Sequence, residues 1–470
     1  MPKSSLSPRE RVGVRACVLL LAIAAIPAQA KEVARDKQGG VLEVSGFYKS
    51  VLSGVLLQPD AVKGTNDFLT LLKDTGVPTP LTSIPGGGFV NSHLFRVNSR
   101  FRFEDKVEVD VAWQLSLSLA SDPAFSAGTS LNNPVGGTAL VGAQRRIVEL
   151  AGPLAVGPAW RIDQNLDRLA LKLALPFGDL TIGRQVLSWG TGRFWNPTDV
   201  LSPFPPTAID REVRRGFDAA RLAIALGDVT QLDLLYLPQL KLEDMGGVAR
   251  FQHNVKGWDF SVSAGKYVKD LVFGADLVGD IGPIGVHAEG AYTLELLGLG
   301  TSNVTIGEHF FRGVVGAEAK PHEKWVLMAE YSFNGYGSTN PADYARILSS
   351  PRVVRGEIFG AGQHQMALAA TFLADDLLTL NLSVLGNLTD PSAMLIPSLE
   401  YSFTQTVLIR AGGYVPLGAP PDPHTYSALT PLDVVTNSPA YQTATTTRGL
   451  RSEYGASSFG AFVQVGIYVP

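Results

Sequence analysis

Cysteine is all but missing: Cys17 is the only one in 470 residues, and none occurs from residue 31 onward. That excludes a small extracellular scaffold held by disulfides. Charge is also sparse, with Asp, Glu, Lys and Arg making up 17% of the chain. So low a value suits neither a disordered chain nor an ordinary soluble enzyme. There is no basic surplus. Residues 1–30 hold four bases (Lys3, Arg9, Arg11, Arg15) and one acid (Glu10), which leaves 35 bases against 42 acids, about −7, in the remainder. Nucleic acid is therefore not an expected partner. Beyond the N-terminal region no stretch approaches the ~20 consecutive apolar residues that a membrane helix requires. Histidine is scarce and scattered, and no G-x-S-x-G elbow, H-E-x-x-H pair or phosphate-binding loop occurs. The chain is not expected to be an enzyme, and no cofactor is implied. His287 and Glu289 share one strand face, as a metal pair would, but such a pair more often lines a wet interior.

What the chain does have begins with a leader. Arg9, Arg11 and Arg15 precede an apolar core from Val18 to Ile26, and Ala28-Gln29-Ala30 comes after Pro27 as a cleavage site. This is the pattern of a secretory signal over 1–30. Residues 31–40 read as a polar leader, and 41–470 as one domain.

That domain is built on period-two alternation. Leu169, Leu171, Leu173 and Leu175 alternate with Arg168, Ala170, Lys172 and Ala174, then turn at Pro176-Phe177-Gly178-Asp179 into Leu180 to Trp189. Phe95, Val97, Phe101 and Phe103 alternate with Arg96, Asn98, Arg100 and Arg102. The return run from Val107 to Leu119 is apolar at every second position. A strand with one greasy and one polar face, repeated in hairpins along the chain, is the unit of a membrane-spanning barrel, since only helices and closed barrels satisfy their backbone in lipid. Counting such runs gives an all-β, single antiparallel transmembrane barrel of about 18 strands, with 16 close behind. Tight turns alternate with longer connections such as 120–164, 190–216, 336–362 and 416–458. Short periplasmic turns and long extracellular loops are expected from that asymmetry.

If the apolar faces meet lipid, the other faces gather charge: Arg96, Arg100, Arg102, Glu108, Asp110, Arg168, Lys172 and Arg221, then mostly acids such as Asp233, Asp276, Glu289, Glu318, Glu330 and Glu400. Two readings stand. Opposed rows could set up a transverse field that sorts solutes. Equally, neighbours could pair and brace the wall, Arg100 or Arg102 with Glu108 or Asp110 first among them.

The segment after Trp189 is the candidate constriction. Gly190, Gly192 and Asn196-Pro197 are turn formers, Thr198 and Asp199 are helix-cap types, and Pro203, Pro205 and Pro206 stiffen the second half of the segment. Its low apolar content favours folding into the barrel over packing on the rim.

Gly183-Arg184-Gln185, Ser188-Trp189-Gly190, Gly192-Arg193 and Trp195-Asn196-Pro197-Thr198-Asp199-Val200-Leu201 resemble a signature of poorly characterised porin-like barrels of Gram-negative bacteria. They are distantly similar to alginate-export and phosphate porins. The resemblance covers Leu169 to Arg215. It implies an 18-strand-type barrel, with Arg184, Gln185, Trp189, Arg193, Trp195, Asn196 and Asp199 as the constriction or its support. Strict alternation from Ile182 would aim Arg184 at lipid, so a bulge is expected there. The expectation is an outer-membrane channel for passive diffusion of small hydrophilic solutes, with lipid and lipopolysaccharide around it and room for a homotrimer. A non-conducting barrel for surface polysaccharide export, anchoring or envelope assembly is the alternative.

Overall fold

The computed structural model describes residues 31–35, 40–76, 81, 83–104, 106–123, 125, 145–299, 304–425 and 429–469. The leader expected at 1–30 lies outside the described residues. Among the described residues, twenty strands form one sheet: β1 Lys31–Arg35, β2 Val41–Leu56, β3 Gly87–Phe103, β4 Val107–Ala120, β5 Ala151–Val156, β6 Trp160–Leu175 and β7 Gly178–Gln185. β8 Phe217–Ala225, β9 Thr230–Leu237, β10 Gly246–Val255, β11 Trp258–Tyr267, β12 Asp270–Ile281, β13 Ile284–Leu297 and β14 Thr305–His322 continue the wall. β15 Trp325–Asn334, β16 His364–Leu373, β17 Leu378–Asn387, β18 Ser392–Ser402, β19 Val407–Leu417 and β20 Phe459–Val469 complete it.

Eighteen of these make a closed antiparallel barrel. β2 joins β20 from Gly46 opposite Val469 to Leu56 opposite Phe459, so the ring has no free edge. β4 pairs directly with β6. The two extra strands patch the wall. β5 lies along the far end of β6, past Leu169–Arg184 where the β6–β7 ladder stops. β1 lies along the start of β2, past the end of β20, with Lys31 opposite Val44. Part of the stretch expected as a polar leader is thus paired strand.

Eight short turns lie at one end of the barrel, after β3, β6, β8, β10, β12, β14, β16 and β18. The long connections lie at the other. One carries helix α1 (Pro59–Asp74). The 335–363 connection carries α2 (Tyr344–Leu348) and α3 (Pro351–Val354), and the 418–458 connection carries α4 (Pro431–Val435) and α5 (Pro439–Thr447). Glu453, half-buried in the last of these, accepts the N–H groups of Ala361 (2.7 Å) and Gly362 (3.1 Å) and so ties two of the loops together. Burial raises its carboxyl pKa above the usual range despite those donors.

The outer face is apolar and open. Leu169, Leu171, Ile182, Phe273, Val315, Leu382 and Val463 are all exposed. An exposed apolar belt of this extent on a folded wall marks a membrane or protein interaction surface.

β7 needs a glycine. Gly183 has φ +116°, and a Cβ there would come 2.2 Å from the Leu169 carbonyl oxygen. Gly183→Ala should therefore cost about 1–3 kcal/mol in backbone strain. It should lower the temperature at which the barrel loses its compact gel mobility, and an unchanged temperature would contradict this account of β7.

Candidate functional site

The 186–216 connection leaves β7 and crosses the interior before returning to β8. Its first half is held by two wall carboxylates. Glu289 of β13 accepts from Thr191 N (2.7 Å), Gly192 N (3.2 Å), Thr198 N (2.6 Å) and Thr198 Oγ1 (2.8 Å). Glu330 of β15 accepts from Arg193 N (2.7 Å), Phe194 N (3.1 Å) and Trp195 N (2.9 Å). The His287 ring nitrogen Nε2 lies 3.0 Å from the Glu330 carboxylate. Successive backbone amides wrapped around a carboxylate form an anion nest, and here the anion belongs to the barrel itself. Gly190 is required by this arrangement: its φ is +92°, and a Cβ would lie 2.7 Å from the Glu289 carboxylate. Arg312 of β14 adds a bond to the Pro197 carbonyl at 3.1 Å.

The second half docks on a different sector. Lys49 of β2 holds Asp210 at 2.5 Å and Glu212 at 2.7 Å. Arg410 of β19 reaches Glu212 at 2.9 Å, Gln464 of β20 donates to Asp210, and the Tyr468 hydroxyl donates to Glu212. Within the loop Arg211 spans three carbonyls, those of Arg193, Pro206 and Ala208. Arg214 pairs with Asp199 and donates to the Ser202 carbonyl. Gly216 then returns to the wall, its N–H bonded to Asp167 at 2.9 Å. Asp167 also receives Arg96 (2.9 Å), Arg146 (3.3 Å) and Arg168, making it the hub of a buried basic cluster.

Apolar packing reinforces these bonds. Trp189, Val200 and Leu201 bury against Phe217, Leu235, Val248, Tyr267 and Val272 inside β8–β13. Phe194 and Trp195 bury against Val314, Ala367, Leu385, Ile396, Tyr414 and Phe462 inside β14–β20. The polar-faced strands therefore do not enclose water over the whole interior. Over these sectors the inward side chains form a packed core with the loop, each worth roughly 1.5–3 kcal/mol on burial.

The residues carried over from the resemblance have distinct placements. Arg193 is the one whose side chain stands open, 56% exposed, with Glu318 at 3.5 Å. Trp189 and Trp195 are buried in the two clusters. The Asn196 carbonyl accepts from Asp199 N in a turn. Asp199 accepts from Ser202 N and Ser188 Oγ as well as pairing with Arg214. Burial pushes its carboxyl pKa up, against the pull of Arg214. No helix starts at Thr198-Asp199; the side chain closes a turn instead, because prolines 203, 205 and 206 come next. Gln185 donates to the Ala219 carbonyl at 3.0 Å and joins the root of the loop to its return strand.

Arg184 departs from expectation. Both ladders of β7 run through it in unbroken register, opposite Leu169 and Asp218, so there is no bulge. The register shift lies instead on β6, where Ala112 faces Arg168 and Trp113 faces Leu166, skipping Asp167. Arg184 is buried as a wall clamp, paired with Asp218 at 2.8 Å and donating to the carbonyls of Leu166 and Val148.

The strand charges are largely paired side to side. Arg100 meets Asp110 at 2.8 Å and Glu108 at 3.3 Å, Arg102 meets Glu43, and Lys172 meets Asp179 at 2.9 Å. Arg221 meets Asp233 at 2.7 Å. Lys49 and Asp167, two principal anchors, do not stand out in the sequence. Lys49 sits in a weakly alternating strand, and Asp167 is out of phase because it occupies the bulge.

The fold is similar to several solved barrels. A mutant porin of Rhodopseudomonas blastica aligns with a TM-score of 0.40 at 11% identity, over 91% of this chain and 99% of that one. OccAB1 of Acinetobacter baumannii gives 0.48 at 10% identity, over 94% and 99%. OccK5 (OpdH) of Pseudomonas aeruginosa gives 0.48 at 9% identity, over 91% and 98%. No family model and no curated protein sequence matches the chain.

Proposed function

We propose that this barrel spans an outer membrane, reached by export with a cleaved leader, and lets small hydrophilic solutes diffuse past the 186–216 loop. The observation that carries this reading is the loop itself: a polar, proline-stiffened segment anchored at both halves inside a wall whose outer face is apolar. Lipid and lipopolysaccharide would surround the belt. A homotrimer is compatible with it. The residue proposed to edge the passage is Arg193, with Asn196, Asp199, Arg184, Gln185, Trp189 and Trp195 holding the loop in support of it.

Purified protein in planar bilayers should give discrete current steps. Replacing Arg193, an exposed loop cation, with alanine should move the reversal potential under a salt gradient toward cation preference. An identical reversal potential would remove Arg193 from the passage.

A second reading, a non-conducting barrel for polysaccharide export, anchoring or envelope assembly, draws on the two apolar clusters that seal the loop to much of the wall. Absence of any current step from pure protein would favour it.

A further inference from the structure

Resting on the channel reading, we infer that the solute path is eccentric: it runs along the inner face of β3, β4 and β6, and it takes uncharged polar solutes in preference to ions. The inner face of this arc is fixed by register. Lys49 faces Leu94, Leu94 faces Ser116, and Ser116 faces Asp163. Residues directly opposite share a face, and Lys49 grips Asp210 inside the barrel. Ser116 and Asp163 therefore look into the lumen at the level where the loop is anchored. The adjoining rows put Ser92 opposite Ser118, and Gln114 opposite both Arg96 and Asn165.

This arc differs from the rest of the wall. Both apolar clusters that bind the loop lie elsewhere, inside β8–β13 and β14–β20. Among the described residues, no hydrogen bond or ion pair joins 186–216 to Ser92, Gln114, Ser116, Ser118 or Asn165. Ser92 Oγ lies 3.4 Å from Ser118 Oγ, and Asn165 Nδ2 donates to Gln114 Oε1 at 3.0 Å while its Oδ1 accepts from Arg146 at 2.8 Å. Hydroxyls and amides on one bank are good partners for hydroxyl- or amide-rich solutes, because they can both donate and accept.

The charges of the arc cancel. Arg100 stands with Glu108 and Asp110, Arg102 with Glu43, Lys172 with Asp179, Arg161 with Asp163, and Arg96 and Arg168 with Asp167. With Glu43 of the neighbouring β2 and Asp179 of β7 included, six cations balance six carboxylates. A lining of neutralised pairs gives neither sign of ion a favoured row of sites, and a neutral solute meets no desolvated free charge.

Residues 31–470 contain no cysteine, so single cysteines can map the path. Ser116→Cys and Ser92→Cys, treated with a trimethylammonium thiosulfonate in planar bilayers, should lose about a third or more of their single-channel conductance and shift toward anion preference. Val272→Cys and Val314→Cys, in the two packed clusters, should be unaffected. The unmodified protein should show a cation-to-anion permeability ratio between about one third and three. In liposome swelling it should pass a neutral hexose at least about as fast as the corresponding hexonate. Conductance unchanged in both serine variants, block only at Val272 or Val314, or a tenfold ion or hexonate preference, with steps still present in the wild type, overturns this inference alone. No steps in the wild type overturn the channel reading along with it.

Discussion

Replacing Glu289 with alanine should release the first half of the 186–216 loop and give a larger, noisier current. Four donors converge on this carboxylate, three of them backbone N–H groups. Hydrogen bonds to a charged group are worth about 1.5–3 kcal/mol each, though lumen water would recover much of that. A net loss of about 3 kcal/mol would shift the docked-to-undocked ratio roughly a hundredfold. Glu330, Arg312 and the apolar clusters would still hold neighbouring parts, so undocking should be partial and recurrent. Rapid fluctuation above the wild-type conductance level is the expected signature. Thr198→Ala, which removes only one hydroxyl donor, should stay close to wild type. A quiet Glu289→Ala channel of normal conductance would show that apolar packing alone positions the loop.

Asp167→Ala should be the most destabilising single change in the wall. The carboxylate neutralises Arg96, Arg146 and Arg168 and holds the Gly216 N–H at the loop's return. Its removal leaves buried guanidinium groups short of a counter-ion, at a cost of about 3–5 kcal/mol. Arg146 keeps Glu149 at 2.9 Å and Asn165 at 2.8 Å, which limits the loss at that one residue. The unfolding temperature of the purified barrel should fall, and Asp167→Asn should fall almost as far, since shape without charge does not answer three cations. An asparagine variant as stable as wild type would mean that hydrogen-bond geometry, and not charge, is what this hub supplies.

The barrel is legible in the sequence because alternation is a local property. Leu169, Leu171 and Ile182 stand on the outer face, where their spacing places them. The tight turns at 176–177, 256–257 and 282–283 fall where glycine, proline and polar residues interrupt the runs. The loop is legible in part: its turn formers mark an irregular segment, and its low apolar content suggests an inward course. Its anchors are not legible as anchors. Glu289 and Glu330 can be assigned to inward faces, but nothing local distinguishes a carboxylate facing water from one that gathers loop amides. Arg184 shows the opposite failure. Alternation calls for a bulge to keep its charge from lipid, yet Asp218 and two carbonyls meet that need while the ladder stays regular.

Alone, the sequence determined that each strand has one apolar and one polar face, and that its turns and loops alternate along the chain. Those features depend on spacing of a few residues, which a linear text preserves. Only the tertiary structure decided which inward faces stay wet and which become core. That choice depends on where one loop lands after crossing the barrel, and Lys49, Asp167, Glu289 and Glu330, on four different strands, meet it only once the ring has closed.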